Sequence, residues 1–106
     1  MSEPTVTHDN RQYRISVDGE QAGFADYIEA GDQRIFHHTV IDKAFGGRGL
    51  AGILVGAALA DTRAAGKRAV PSCSFVAGYI AKHPEFADLA DPVTEQTDAA
   101  VRAAEH

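Results

Sequence analysis

From Gln12 onward, apolar and polar residues alternate. In QYRISVD, Tyr13, Ile15 and Val17 fall on one face and Arg14 and Ser16 on the other, the period-two signature of a half-buried strand. Asp18-Gly19-Glu20 supplies a hairpin turn, and AGFADYIE (Ala22 to Glu29) continues as a second strand. Ala30-Gly31-Asp32 turns the chain again, and RIFHHTVI (Arg34 to Ile41) is a third strand, so the first forty residues read as an antiparallel meander. The pattern then changes. A glycine-rich stretch leads into a helix from about Arg48 to Ala65, stopped by Gly66. Its first half is apolar nearly all round (Leu50, Ile53, Leu54, Val55, Leu59), which predicts a well-buried helix packed on the sheet. KRAVPSC (Lys67 to Cys73) reads as a short strand, and a strand after a crossover helix implies parallel pairing. SFVAGYIAKH makes a second helix, ended by His83-Pro84, with Phe75 and Phe86 as core candidates. The order βββ-α-β-α predicts an α+β fold, a mixed sheet with helices packed on it. Residues 1–10 read as an N-terminal segment and 11–90 as the domain. Residues 91–106 form a polar, alanine-rich tail, either a short helix or frayed, with no chemistry assigned to it.

Composition narrows the function classes. A chain of 106 residues fits one core, and 44% hydrophobic with 24% charged residues is ordinary for a soluble globular protein. No apolar run approaches the roughly 20 residues that span a bilayer, so no membrane partner is expected. MSEPTVTHDN lacks the basic and apolar regions of a signal peptide, and Cys73 is the sole cysteine, which points to a reducing cytoplasm. Net charge is −5, the pI is about 5.4, and Lys and Arg are not clustered. That argues against a nucleic-acid partner. No His/Cys/Asp cluster has metal-ligand spacing, so no metal is expected.

The glycine stretch admits three readings. Gly47-Arg48-Gly49-Leu50-Ala51-Gly52 spells G-x-G-x-x-G, the dinucleotide fingerprint. That fingerprint needs a strand running directly into the turn and an acidic residue ~20 positions on. Here Asp42-Lys43-Ala44-Phe45 intervenes and the downstream strand carries no carboxylate, so the dinucleotide reading fails. A P-loop fails too, because no Gly-Lys-Ser/Thr follows. Two readings survive: a cradle for another phosphate, built from free first-turn N–H groups and the helix dipole, or a surface turn whose glycines serve only packing.

FGGRGLAGILVGAAL resembles the coenzyme A pyrophosphate loop of the GNAT superfamily of N-acetyltransferases, Q/R-x-x-G-x-G/A. Gly49 and Ala51 match the last two defined positions, and Gly46 stands where Gln or Arg is expected. The likeness extends through HTVIDKAFGGRGLAGILV and KRAVPSCSFVAGYIAKHPEFADL, roughly Arg11 to Leu89, and resembles the short, single-domain "minimal" GNAT-like enzymes.

This resemblance implies a GNAT-like fold in which Phe36 to Ile41 and Arg68 to Ser72 splay apart around the pantetheine arm. It implies acetyl-CoA as cosubstrate and an amine acceptor: a small molecule, peptide or protein. Residues expected to hold the cofactor are Val40, Ile41, Gly46, Gly47, Arg48, Gly49, Leu50, Ala51, Gly52 and Cys73, with Asp42 extending the pantetheine edge. Cys73 matches a cysteine characteristic of the minimal family; it contacts CoA, carries the acetyl group transiently, or is a small buried residue. His37 and His38 are adjacent on a strand, so strict alternation sends them to opposite faces and only one can face the cleft. His38, in the family-like HTV segment, is the candidate base or positioning group, against a purely structural role. Tyr79 approximates the tyrosine that protonates the CoA thiolate in larger GNAT enzymes, against a core aromatic. The larger enzymes wall the acceptor site with N-terminal helices that this chain lacks, so an open acceptor side is expected, on a monomer or weak dimer. A CoA-binding module without turnover, such as a sensor, and an interaction domain that has lost the ligand remain alternatives.

Overall fold

A computed structural model describes residues 3–9, 11–47 and 49–104. Five strands form one sheet in chain order: β1 (Thr5–Asp9), β2 (Gln12–Val17), β3 (Glu20–Ala30), β4 (Gln33–Ile41) and β5 (Arg68–Pro71). The first four pair antiparallel and β5 joins β4 in parallel, after the crossover helix α1 (Leu50–Ala64). Helix α2 (Ser74–Lys82) follows β5, a 3₁₀ turn spans Pro84–Leu89, and α3 (Glu95–Ala104) comes last. The expected α+β mixed sheet is the fold observed.

The two ends of the chain do more than the hydrophobic pattern indicated. TVTHD forms the edge strand β1 although nearly all of it is exposed. A polar edge strand carries no apolar alternation to announce it, and its polarity protects the sheet edge from further pairing. The alanine-rich tail becomes α3, whose Ala100 and Val101 pack on Ile28, Ile35 and Val70. On the opposite face α1 buries Leu50, Leu54, Val55, Ala58 and Leu59 in one cluster with Tyr13, Ile15, Tyr27 and Phe36. Ile53, expected inside, instead stands 45% exposed, because the sheet covers only one side of the first turns of α1.

A polar cluster ties β1 to α1. The ring of His8 stacks on Tyr13 with centroids 4.2 Å apart, and its Nε2 lies 2.5 Å from the Tyr27 hydroxyl. Tyr13 donates to Asp61 Oδ2 at 2.6 Å, and the buried Arg34 donates to the Tyr13 hydroxyl at 2.7 Å and to Glu29 at 3.1 Å. Burial, reinforced by the Asp61 carboxylate, pushes the Tyr13 hydroxyl pKa up. The Tyr13 hydrogen bond, with His8 and Arg34 behind it, holds Asp61 below the usual carboxylate range. Its folded pKa is therefore below its unfolded value. The stabilisation is complete above the unfolded value, near about 3.9, and is lost as pH falls through the folded one. Because the Asp61 side chain is 48% exposed, the contribution is modest. Urea melts should find Asp61→Asn less stable than wild type by about 1 kcal/mol at pH 7. The gap should close below about pH 3 as the carboxylate protonates in both states.

Candidate active site

Strand β5 is short for a chemical reason. Its register with β4 runs from Gln33↔Arg68 to Phe36↔Pro71, and Pro71 has no N–H to continue the ladder. Ser72 N–H turns back to Val70 O at 3.0 Å, Cys73 N–H makes the last bond to Phe36 O at 2.8 Å, and the chain enters α2. β4 continues to Ile41, so its edge beyond Phe36 faces no strand. Asp42 N–H donates to Ala22 O of β3 at 2.7 Å. Strand residues present backbone groups to alternate sides, so Val40 also pairs toward β3. Thr39 and Ile41 turn their N–H and C=O groups to the open edge. Cys73 Sγ donates to the Thr39 hydroxyl at 3.5 Å, which puts the thiol beside that edge.

At the mouth of this opening the chain makes a 3₁₀ turn, Lys43–Phe45, capped by the Asp42 carboxylate on Ala44 N–H at 2.9 Å. This turn keeps β4 from running straight into the glycines. Gly47 (φ 79°) and Gly49 (φ 71°) then adopt left-handed backbone, which side-chain-bearing residues resist. Gly46 does not, and its N–H is taken by Lys43 O at 3.2 Å. Gly49 caps α1 without a side chain, and the first turn holds no acidic residue. The first intrahelical bond is Ile53 N–H to Gly49 O at 3.4 Å, so the N–H groups of Leu50, Ala51 and Gly52 have no helical acceptor. Combined with the helix dipole they make an anion cradle. Arg48 lies outside the described residues.

The remaining candidates are spread apart. The pairing register passes from Asp26↔His38 to Tyr27↔Phe36, leaving His37 as the extra residue of a bulge. Strict alternation fails there. His37 lines a cavity with Asp26 and Arg14, and the His38 ring lies 5.9 Å from Phe24, so both histidines share the face opposite Cys73. Tyr79 lies on the other side of the fold, its ring on the Gly52–Gly56 stripe of α1. A Cβ at Gly56 would come within 2.6 Å of the Tyr79 hydroxyl. The Tyr79 ring stacks on His83 at 3.8 Å, His83 Nδ1–H donates to the Tyr79 carbonyl at 2.8 Å, and burial raises the phenol pKa. Six residues of helix separate Tyr79 from Cys73, about 9 Å. The structure thus joins Cys73 to β4 beside the glycine loop and leaves His38 and Tyr79 apart from that pair.

Between α1 and α2 lies a cleft of about 580 Å³, lined by Gly49, Gly52, Ile53, Phe75 and Tyr79 and closed at its outer end by Lys82 and His83. Phe75, expected in the core, is 42% exposed there. Thr39 is a site residue that motif reading missed, since only the register shows which strand residues face the gap. Among the described residues no three His, Cys, Asp or Glu side chains group as metal ligands, and no helix is long and apolar enough to cross a membrane.

A splayed parallel strand pair with an anion cradle at its mouth defines an acyl-CoA-type transferase architecture, and comparison with known proteins agrees. The family model for GCN5-related N-acetyl-transferase matches residues 12–89. The chain belongs to that family. The fold is similar to the solution structure of a candidate GCN5-like N-acetyltransferase from Staphylococcus aureus, with a TM-score of 0.66 and 17% identity over 86% of this chain and 91% of that one. A GNAT-family candidate acetyltransferase from Desulfovibrio desulfuricans aligns with a TM-score of 0.49 and 20% identity over 54% of this chain and 38% of that one. No curated protein matches the chain.

Proposed function

We propose that this domain transfers the acetyl group of acetyl-CoA to an amine. One observation carries the reading: the uncapped first turn of α1 opens beside the unpaired edge of β4, with Cys73 between them. The N–H groups from Gly49 to Gly52 hold the pyrophosphate, with Gly47 shaping the approach. Thr39 and Ile41 offer backbone groups to the pantetheine amides, and Val40 keeps the strand in register through β3. The α1 face of β4 is closed by Phe36, Leu54 and Val76, all buried. The amine therefore approaches from the histidine face, where His38 is exposed and takes the proton directly or through water. The amine attacks the thioester carbonyl, the C–N bond forms, the C–S bond breaks, and the CoA thiolate leaves and is protonated.

Cys73 and its Thr39 partner hold the sulfur end of the donor. Cys73→Ala should cut transfer about tenfold or more, a loss typical of removing one positioned group, while CoA affinity changes by less than about threefold. Unchanged transfer by Cys73→Ala removes both this role and an acetyl-cysteine intermediate. A second reading, a CoA-binding module without turnover, is favoured by the separation of His38 and Tyr79 from Cys73. Titration with CoA followed by amide shifts, then acetyl transfer to a panel of amines and peptides, separates the two. If the amides from Gly47 to Ile53 stay unmoved at millimolar CoA, neither reading holds.

A further inference from the structure

Resting on that reading and extending it, we propose that the cleft between α1 and α2 is the seat of the adenosine 3′-phosphate end of coenzyme A. Ile53 and Phe75 form apolar walls for the adenine, and Lys82 is the counter-charge for the 3′-phosphate.

Three independent observations converge here. Among the described residues only three large hydrophobic side chains are exposed, Ile53, Phe75 and Val93, and the first two line this one cleft. Each forgoes burial worth about 1.5–3 kcal/mol, and neither forms a lid over the core; they face each other across open space at a helix–helix junction. Charge is the second. Arg14, Arg34, Arg63, Lys67 and Arg68 each have a carboxylate within 4.0 Å, whereas Lys82, at the outer rim of the cleft, has no ion pair. In a chain of net charge −5, an unpaired cation beside two exposed apolar groups suits a ligand that is both aromatic and anionic.

Position is the third. Gly49 and Gly52 belong to both the anion cradle and the cleft. Ser74 at the inner end of α2 adjoins Cys73, and Lys82 lies eight residues along the helix, about 12 Å further out. In coenzyme A the pyrophosphate links pantetheine on one side to a 3′-phosphorylated adenosine on the other. With the pyrophosphate on the first turn of α1, the pantetheine runs inward to Thr39 and the nucleoside outward toward Lys82. A cleft of about 580 Å³ falls in the range small-molecule sites occupy.

Calorimetric titration of CoA, dephospho-CoA (lacking only the 3′-phosphate) and 4′-phosphopantetheine (lacking the nucleoside) tests this on wild type, Lys82→Ala and Phe75→Ala. Both substituted side chains are exposed, so the variants keep the fold. Wild type should bind CoA about tenfold more tightly than dephospho-CoA. Lys82→Ala should bring CoA down to the dephospho-CoA value and leave dephospho-CoA unchanged. Phe75→Ala should weaken both nucleotides about tenfold, as loss of a stacking partner does, without affecting 4′-phosphopantetheine. If wild type binds all three ligands equally, or Lys82→Ala weakens CoA and dephospho-CoA alike, this subsite is overturned while the cradle and strand edge stand. If none of the three binds, the acetyl-CoA reading falls and this inference with it.

Discussion

Gly52→Glu should lower affinity for coenzyme A by roughly 30- to 150-fold, from about 2–3 kcal/mol of repulsion between like charges near 5 Å at the protein surface. The same substitution should make the protein more stable. Position 52 is the third residue of α1, where a glutamate reaches back to the free N–H groups of the first turn. It replaces glycine by a better helix former and complements the dipole, together about 1 kcal/mol. A Cβ at this position lies 3.7 Å from Tyr79 Cε2, ordinary contact, so packing does not oppose the change. Opposite signs in the two readouts are the diagnostic. A glycine turn kept only for packing would gain stability and lose no ligand. Gly52→Gln keeps the shape without the charge and should lose much less affinity. Thermal melts and CoA titration of both variants decide; wild-type CoA affinity in Gly52→Glu would remove the pyrophosphate from this helix end.

Gly23→Ala should destabilise the domain by about 3 kcal/mol, the upper part of the usual overpacking range. That corresponds to roughly 10–20 °C in Tm for a domain of this size. The added Cβ would lie 2.4 Å from Val40 O and 2.5 Å from Ile41 Cδ1, with Ile41 Cα at 3.1 Å. A side chain could rotate away, but the Val40 carbonyl belongs to the β3–β4 ladder and can yield only if β4 shifts. That shift displaces Thr39 and Ile41, so affinity for CoA should fall together with stability. Gly78→Ala is the control: nothing lies within 4 Å of its Cβ, and helix propensity alone should stabilise by about 0.5–1 kcal/mol. A Gly23→Ala melt within about 0.5 kcal/mol of wild type would mean that β3 and β4 are not so closely apposed.

Much of the architecture was legible because it rests on local rules. Tyr13, Ile15 and Val17 alternate and are buried, Gly19 and Gly31 take positive φ at the two hairpins, and Gly66 ends α1. The glycine loop could be separated from a dinucleotide fingerprint for the same reason: Asp42 and the three residues after it form a turn of their own. What escaped notice had no local signature. β1 is polar, and its place depends on the long-range contacts of His8 with Tyr13, Tyr27 and Asp61. The bulge at His37 depends on how β3 and β4 register, and it puts both histidines on one face. Ile53 and Phe75 look like core residues in sequence because hydrophobicity says that a side chain can be buried, not that a neighbour arrives to cover it.

The chain by itself therefore determined the order of strands and helices, the parallel crossover, the end of β5 at Pro71 and a glycine-capped helix start able to receive an anion. Those are consequences of periodicity, turn geometry and a missing N–H, all properties of neighbours along the backbone. Only the tertiary structure decided that Thr39 and Ile41 face the opening while Val40 faces β3, that Cys73 meets Thr39, and that Ile53, Phe75 and Lys82 share one cleft. Those relations join residues 21 to 34 positions apart in the chain. Only the packing of the sheet and the two helices brings them within reach of one another.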